Sequence, residues 1–193
     1  MIKNKQEFYE YLEADAMEIG VKTAKERFFS EIYRYQKLLR TVEYYINCRK
    51  DIIGKLVGIY YRFRFKSESI RLGFSITPNT CDKGLRLGHY GDIVINGKAK
   101  IGKNCTIAGA GTLIGEDLLT GEAPAIGDNC YIGPGAKVLG GIKIAEGVTI
   151  AANAVVVKDI TEGYITVGGI PASKISEFSI ETKWREVARK VEL

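Results

Sequence analysis

The chain has 193 residues, 46% hydrophobic and 26% charged, which suits one large domain or a domain with an extension. Its net charge of +5 is a mild bias toward anionic ligands and too small to imply a nucleic-acid partner. The four cysteines form no C-x-x-C pair and the single histidine builds no zinc cluster, so no metal is expected.

The first twenty residues are charged and lack an apolar core, so they do not read as a signal peptide, and a cytoplasmic setting with reduced thiols is expected. Phe28, Ile32, Tyr35, Leu39, Val42 and Ile46 step by 4, 3, 4, 3 and 4, one apolar stripe on a helix. With no glycine or proline between residues 23 and 53, the spacing predicts one long helix there. A second helix is expected from about Asp51 to Phe65. It interleaves Tyr60, Tyr61, Phe63 and Phe65 with Lys55, Arg62, Arg64 and Lys66. Segment 55–66 either packs within a helical cap or touches a membrane surface as a peripheral contact, where Tyr and Lys/Arg suit the headgroup layer. The stretch DIIGKLVGIYY is too short to span a bilayer.

Beyond residue 90 the period changes. Ile95, Ile101, Ile107 and Leu113 are six apart, and so are Ile126, Ile132, Val138, Ile144, Ile150 and Val156. A six-residue repeat fits neither a helix nor an alternating strand; it is the mark of a parallel β-helix. Each hexad makes one side of a triangular coil, its aliphatic residue pointing inward onto that of the next coil, and small residues let the chain turn the corners. Cys105 and Cys130 take the small fifth place of their hexads, a packing role.

Two breaks interrupt the period. Leu87 to Ile95 is eight residues, with the surplus beside His89 in LRLGHYGDIVING. Leu113 to Ile126 is thirteen, so IGEDLLTGEAPA is expected to bulge out as a loop. A lone histidine between glycines is by default structural or solvated, but solenoids tend to break their period on the binding face, and an imidazole titrates near working pH, which suits a general base.

The hexads, HYGDIVINGKAKIGKN and the closing VVVKDITEGYITVGGIPA resemble the hexapeptide-repeat acyltransferases, and among them the serine acetyltransferase branch, over roughly residues 72–175. The resemblance implies an α+β, mainly β fold: a helical region over 1–71, a left-handed parallel β-helix over 72–172, and a tail with a short helix over 173–193. It implies a homotrimer that binds acetyl-CoA between neighbouring β-helices, with His89 taking the proton from the acceptor hydroxyl. Gly115, Gly133 and Ala152 match positions where small side chains admit the pantetheine arm. Lys158, and more weakly Lys174, match a lysine near the CoA phosphates.

The departures concern the acceptor. Gly88 precedes His89 where the serine enzymes carry aspartate. Ser75 stands where they carry an aspartate that orients the histidine, and Glu122-Ala123 where they carry Arg-His. Ser75 and Asp92 are the candidates for acceptor contact, and Asp82, Asp92 or a backbone carbonyl for orienting His89. A zwitterion held without counter-charges loses specificity. A neutral hydroxyl acceptor needs no such charges, and the resemblance to relatives that serve capsule or exopolysaccharide assembly implies O-acetylation of a sugar of a cell-surface polysaccharide or its lipid-linked precursor. The alternatives are serine O-acetylation for cysteine synthesis and an inactive β-helix scaffold.

Overall fold

Four helices open the chain in the computed structural model, which describes residues 1–181. Helix α1 (Lys5–Ile19) starts where the Asn4 side chain accepts from the Glu7 amide and stops at Gly20. Helix α2 (Ala24–Phe29) begins with a capping box between Thr23 and Glu26. Helices α3 (Glu31–Cys48) and α4 (Ile52–Leu72) follow.

The expected long helix is broken at Ser30. Its backbone leaves the helical region and its hydroxyl accepts from the Tyr33 amide, so α3 starts afresh there. Phe28 belongs to α2 and is 66% exposed, while Tyr35, Leu39 and Val42 are buried on α3. A serine cap ends one helix and starts the next without glycine or proline. The second helix runs on to Leu72, past the expected end near Phe65. Gly58 lets it approach α3: a Cβ there would meet Tyr45 Cβ at 3.3 Å. Tyr35 stacks on Phe65, and Tyr45 on Tyr61.

The rest is a three-faced parallel coil. The first face stacks β1 (Phe74–Ile76), β3 (Ile93–Ile95), β6 (Thr112–Gly115), β9 (Lys137–Leu139) and β12 (Val155–Val156). The second stacks β4 (Lys100–Ile101), β7 (Ala125–Ile126) and β10 (Lys143–Ile144). The third stacks β2 (Arg86–Leu87), β5 (Thr106–Ile107), β8 (Tyr131–Ile132), β11 (Thr149–Ile150) and β13 (Thr166–Gly169), with β14 (Ala172–Ser176) added antiparallel at the end. Inside, Ile95, Ile114, Val138 and Val156 stand in register on one face, and Leu87, Ile107, Ile132, Ile150 and Val167 on another. Cys105 and Cys130 are buried within it, as their hexad position implied.

One register assignment changes. Ile114, not Leu113, is the inward residue: Ile114 is fully buried and pairs with Ile95, while Leu113 faces outward beside Val94. An extra residue enters the corner after Ile107. The chain thus takes eight residues from Leu87 to Ile95, seven from Ile107 to Ile114, and six from Ile132 to Val138. The expected loop is present after β6. Asp117 accepts the amides of Leu119 and Thr120, and Leu118 and Leu119 project fully into solvent. The short C-terminal helix expected in the tail falls largely outside the described residues.

The helices close the open end of the coil. A parallel β-helix leaves unpaired backbone groups on its end coil. Here Asp15 accepts from the Gly84 and Leu85 amides, and Glu43 from that of Asn79. Arg40 donates to the carbonyls of Cys81 and Asp82, and Gln36 donates to that of Leu85 and accepts from Leu87. Four buried polar side chains do for this edge what a further coil would do.

Candidate active site

The corner that carries His89 joins the third face to the first, between β2 and β3. No side chain fits before the histidine: a Cβ on Gly88 would lie 2.6 Å from the Ala108 carbonyl oxygen. His89 is exposed, and its Cβ rests over Gly109, whose φ is +137° and whose own Cβ would come within 2.9 Å. Glycine at 109 therefore supplies both a backbone conformation that side chains disfavour and the space under the imidazole. The surplus residues of the coil bring Tyr90 and Asp92, both exposed, into the same loop.

Among the described residues nothing is hydrogen-bonded to the imidazole, so its surface is open to an acceptor. Asp82, one of the expected orienting groups, is engaged by other partners. Its carboxylate accepts from the Tyr11 hydroxyl at 2.5 Å and the Lys83 amide at 2.8 Å. Burial resists its charge, but the Tyr11 and Lys83 hydrogen bonds outweigh this and hold the carboxyl below the usual range. Asp92 remains, in the same loop as His89. Ser75 is exposed on β1, in register with Val94 on the adjacent strand.

The small-residue candidates divide by place. Because β2, β5, β8 and β11 are in register, Gly133 and Ala152 lie in the same column of corners as His89 and Gly109. They are tightly stacked, a Cβ on Gly133 falling 2.7 Å from the Ala152 nitrogen. Gly115 and the exposed Lys158 lie at the opposite edge of the first face, where β6 and β12 end. Lys174, on β14, is ion-paired to Glu162 at 2.7 Å and Glu177 at 2.6 Å, which leaves it a weak partner for a phosphate. Those two carboxylates also raise its pKa.

The sequence reading missed Lys137. From the outer face of β9 its ammonium donates to the carbonyls of Gly111 and Gly135, tying two successive corners of the His89 column together. The hexad phase was a usable signal, since a residue just before an inward valine must point outward at the start of a strand. Among the described residues no His/Cys/Asp/Glu group could hold a metal ion.

The bacterial transferase hexapeptide family model, described as six repeats, matches residues 124–158. No curated protein matches the sequence. Among solved structures, the serine acetyltransferase of Neisseria gonorrhoeae is 25% identical with a TM-score of 0.70, covering 95% of this chain and 70% of that one. That of Brucella abortus strain S19 is 25% identical with a TM-score of 0.67, covering 90% of this chain and 71% of that one. The chain is thus similar in fold to the serine acetyltransferases, with a hexapeptide-repeat match over its central coils. The Brucella abortus enzyme in complex with coenzyme A is 22% identical with a TM-score of 0.67, covering 91% of this chain and 70% of that one, a likeness of fold.

In this serine acetyltransferase-like coil, the support under His89 is open to test. If His89 is the base, Gly109→Ala is expected to lower kcat for acetyl transfer by roughly tenfold or more, because a displaced imidazole loses alignment with its acceptor. Affinity for acetyl-CoA should stay unchanged. Steady-state kinetics that show wild-type kcat would remove Gly109 as a positioning residue.

Proposed function

We infer that the protein is an acetyl-CoA-dependent O-acetyltransferase with His89 as general base. The observation that carries this reading is the corner column itself: an open imidazole set above Gly109, Gly133 and Ala152 where the six-residue period is stretched. The acceptor oxygen attacks the thioester carbonyl as the imidazole takes its proton; the carbon–sulfur bond breaks, and the imidazolium returns the proton to the departing thiolate. Gly133 and Ala152 would let the pantetheine arm approach the wall, with Gly115 along the same first face. Lys158 would meet a CoA phosphate, and Lys174 is the weaker candidate. We read the coil as left-handed, and the assembly as a homotrimer in which a neighbouring copy supplies the second wall of the groove. The β-helix of residues 72–172 would carry the chemistry between a helical region over 1–71 and a tail over 173–193.

The comparisons move the acceptor from the sugar expected from sequence toward serine, since the neighbours described above are serine acetyltransferases. Asp92 supports that reading, because its exposed carboxylate lies in the His89 loop and suits an ammonium group. The second reading, a sugar hydroxyl, rests on Gly88, where a side chain has no room, and on Ser75 and Glu122-Ala123 in place of charged partners. Release of CoA thiol from acetyl-CoA, measured with L-serine and with a panel of free and lipid-linked sugars, decides between them. Serine is expected to give the highest kcat/KM. A sugar that outruns serine reverses the assignment, and no acceptor-dependent release would leave the scaffold reading.

A further inference from the structure

We propose that α4 seats the protein on an anionic lipid surface. One side of this helix is buried at Gly54, Gly58, Phe65, Ser69 and Leu72, with Gly58, Phe65 and Ser69 set against α3. The opposite side is apolar and uncovered: Ile52, Leu56, Ile59, Phe63 and Ile70 step by 4, 3, 4 and 7, one stripe along the helix. Four of these five side chains are more than 60% exposed, with Ile59 at 49%, and Ile53 and Tyr60 widen the patch. An uncovered stripe of this length, about 30 Å on a 21-residue helix, is a binding surface rather than scattered exposure.

Charge selects the occupant. Lys55, Arg62 and Lys66 line one border of the stripe, exposed and in no ion pair among the described residues. On the other border Arg64 donates to the Tyr60 hydroxyl at 3.0 Å. The helix carries five cations against one acid, and that acid, Glu68, is paired to Arg71 away from the stripe. A second copy docked through this face would bring two sets of cations together with no acidic side chain between them. An anionic headgroup layer supplies the missing counter-charge, accepts the apolar stripe just beneath, and suits Tyr60 at the boundary. The helix would lie in the plane of the surface, since none of the described helices is long and apolar enough to cross a membrane. This inference stands apart from the catalytic reading of His89.

Co-sedimentation of the full chain with vesicles tests it. Wild type should bind phosphatidylcholine vesicles containing phosphatidylglycerol, bind pure phosphatidylcholine far less, and detach as salt rises. The triple variant Lys55→Gln, Arg62→Gln, Lys66→Gln should bind the anionic vesicles roughly 100-fold more weakly. Leu56→Ser with Phe63→Ser should also reduce binding by roughly 100-fold. All positions are exposed, so circular dichroism should match wild type. The proposal is overturned if wild type ignores anionic vesicles or both variants bind as well as wild type. It is also overturned if the Leu56/Phe63 variant changes the oligomeric mass in vesicle-free solution, which would assign the stripe to a second copy.

Discussion

His89→Asn is expected to lower the rate of acetyl transfer by about 10²–10⁴-fold. Asparagine keeps a planar polar group of similar reach but has no nitrogen that can take a proton. The single histidine has no substitute elsewhere in the chain. His89 is exposed on a corner loop, outside the coil interior, so the variant should fold and melt as wild type does. Acetyl-CoA affinity should hardly change, because in the proposed mechanism the imidazole acts on the acceptor hydroxyl. The useful measurement is the split between kcat and the donor KM, taken with the best acceptor. A variant with unimpaired kcat would end the catalytic role of His89, and a loss confined to the donor KM would move it to CoA binding.

Arg40→Met is expected to destabilise the fold by about 3–5 kcal/mol. The guanidinium is fully buried, bonded to Asp15 at 2.8 Å and Glu43 at 3.0 Å, and lies over the Tyr11 ring. Those carboxylates and its backbone donations to Cys81 and Asp82 bind α1, α3 and the first coil into one cluster. Methionine fills much of the volume but leaves the buried Asp15 and Glu43 carboxylates without their counter-charge, held only by backbone amides, and takes the donor from the Cys81 and Asp82 carbonyls. The same desolvation discourages the charged Arg40, yet Glu43 and Asp15 outweigh it and hold its pKa above the ordinary guanidinium value. Urea unfolding followed by circular dichroism should show a lower midpoint. A loss under about 1 kcal/mol would mean that the cluster is dispensable and the helices hold the coil by apolar contact alone.

The hexads were legible because their cause is local. An aliphatic residue every six positions meets its equivalent one coil away, so Ile101, Ile107, Ile132 and Ile150 could be placed inside without knowing any long-range contact. The loop after β6 and the stretch at His89 were legible for the same reason, as departures from a period. Leu113 was misplaced because periodicity alone cannot say where within a hexad an extra residue is absorbed. The structure absorbs it at the Gly109 corner, where positive φ is tolerated, and so Ile114 turns inward. The helix break at Ser30 was hidden by an unbroken apolar stripe; a cap competes with helix continuation through one side-chain hydrogen bond, which pattern does not register.

By itself the sequence determined a helical start, a coil of hexads, its inward ladder and the corner with the one histidine, because each follows from short-range spacing. Tertiary structure alone decided which groups close the first coil. Asp15, Gln36, Arg40 and Glu43 come from two helices and meet backbone groups dozens of residues away. It also decided that Asp82 is bound to Tyr11 and that Gly133 and Ala152 share the His89 corner. Finally, it decided that α4 leaves its Ile52-to-Ile70 stripe uncovered. The reason is common to all four: burial and partnering belong to pairs of distant segments, and each of those segments has a consistent local pattern whichever partner it finds.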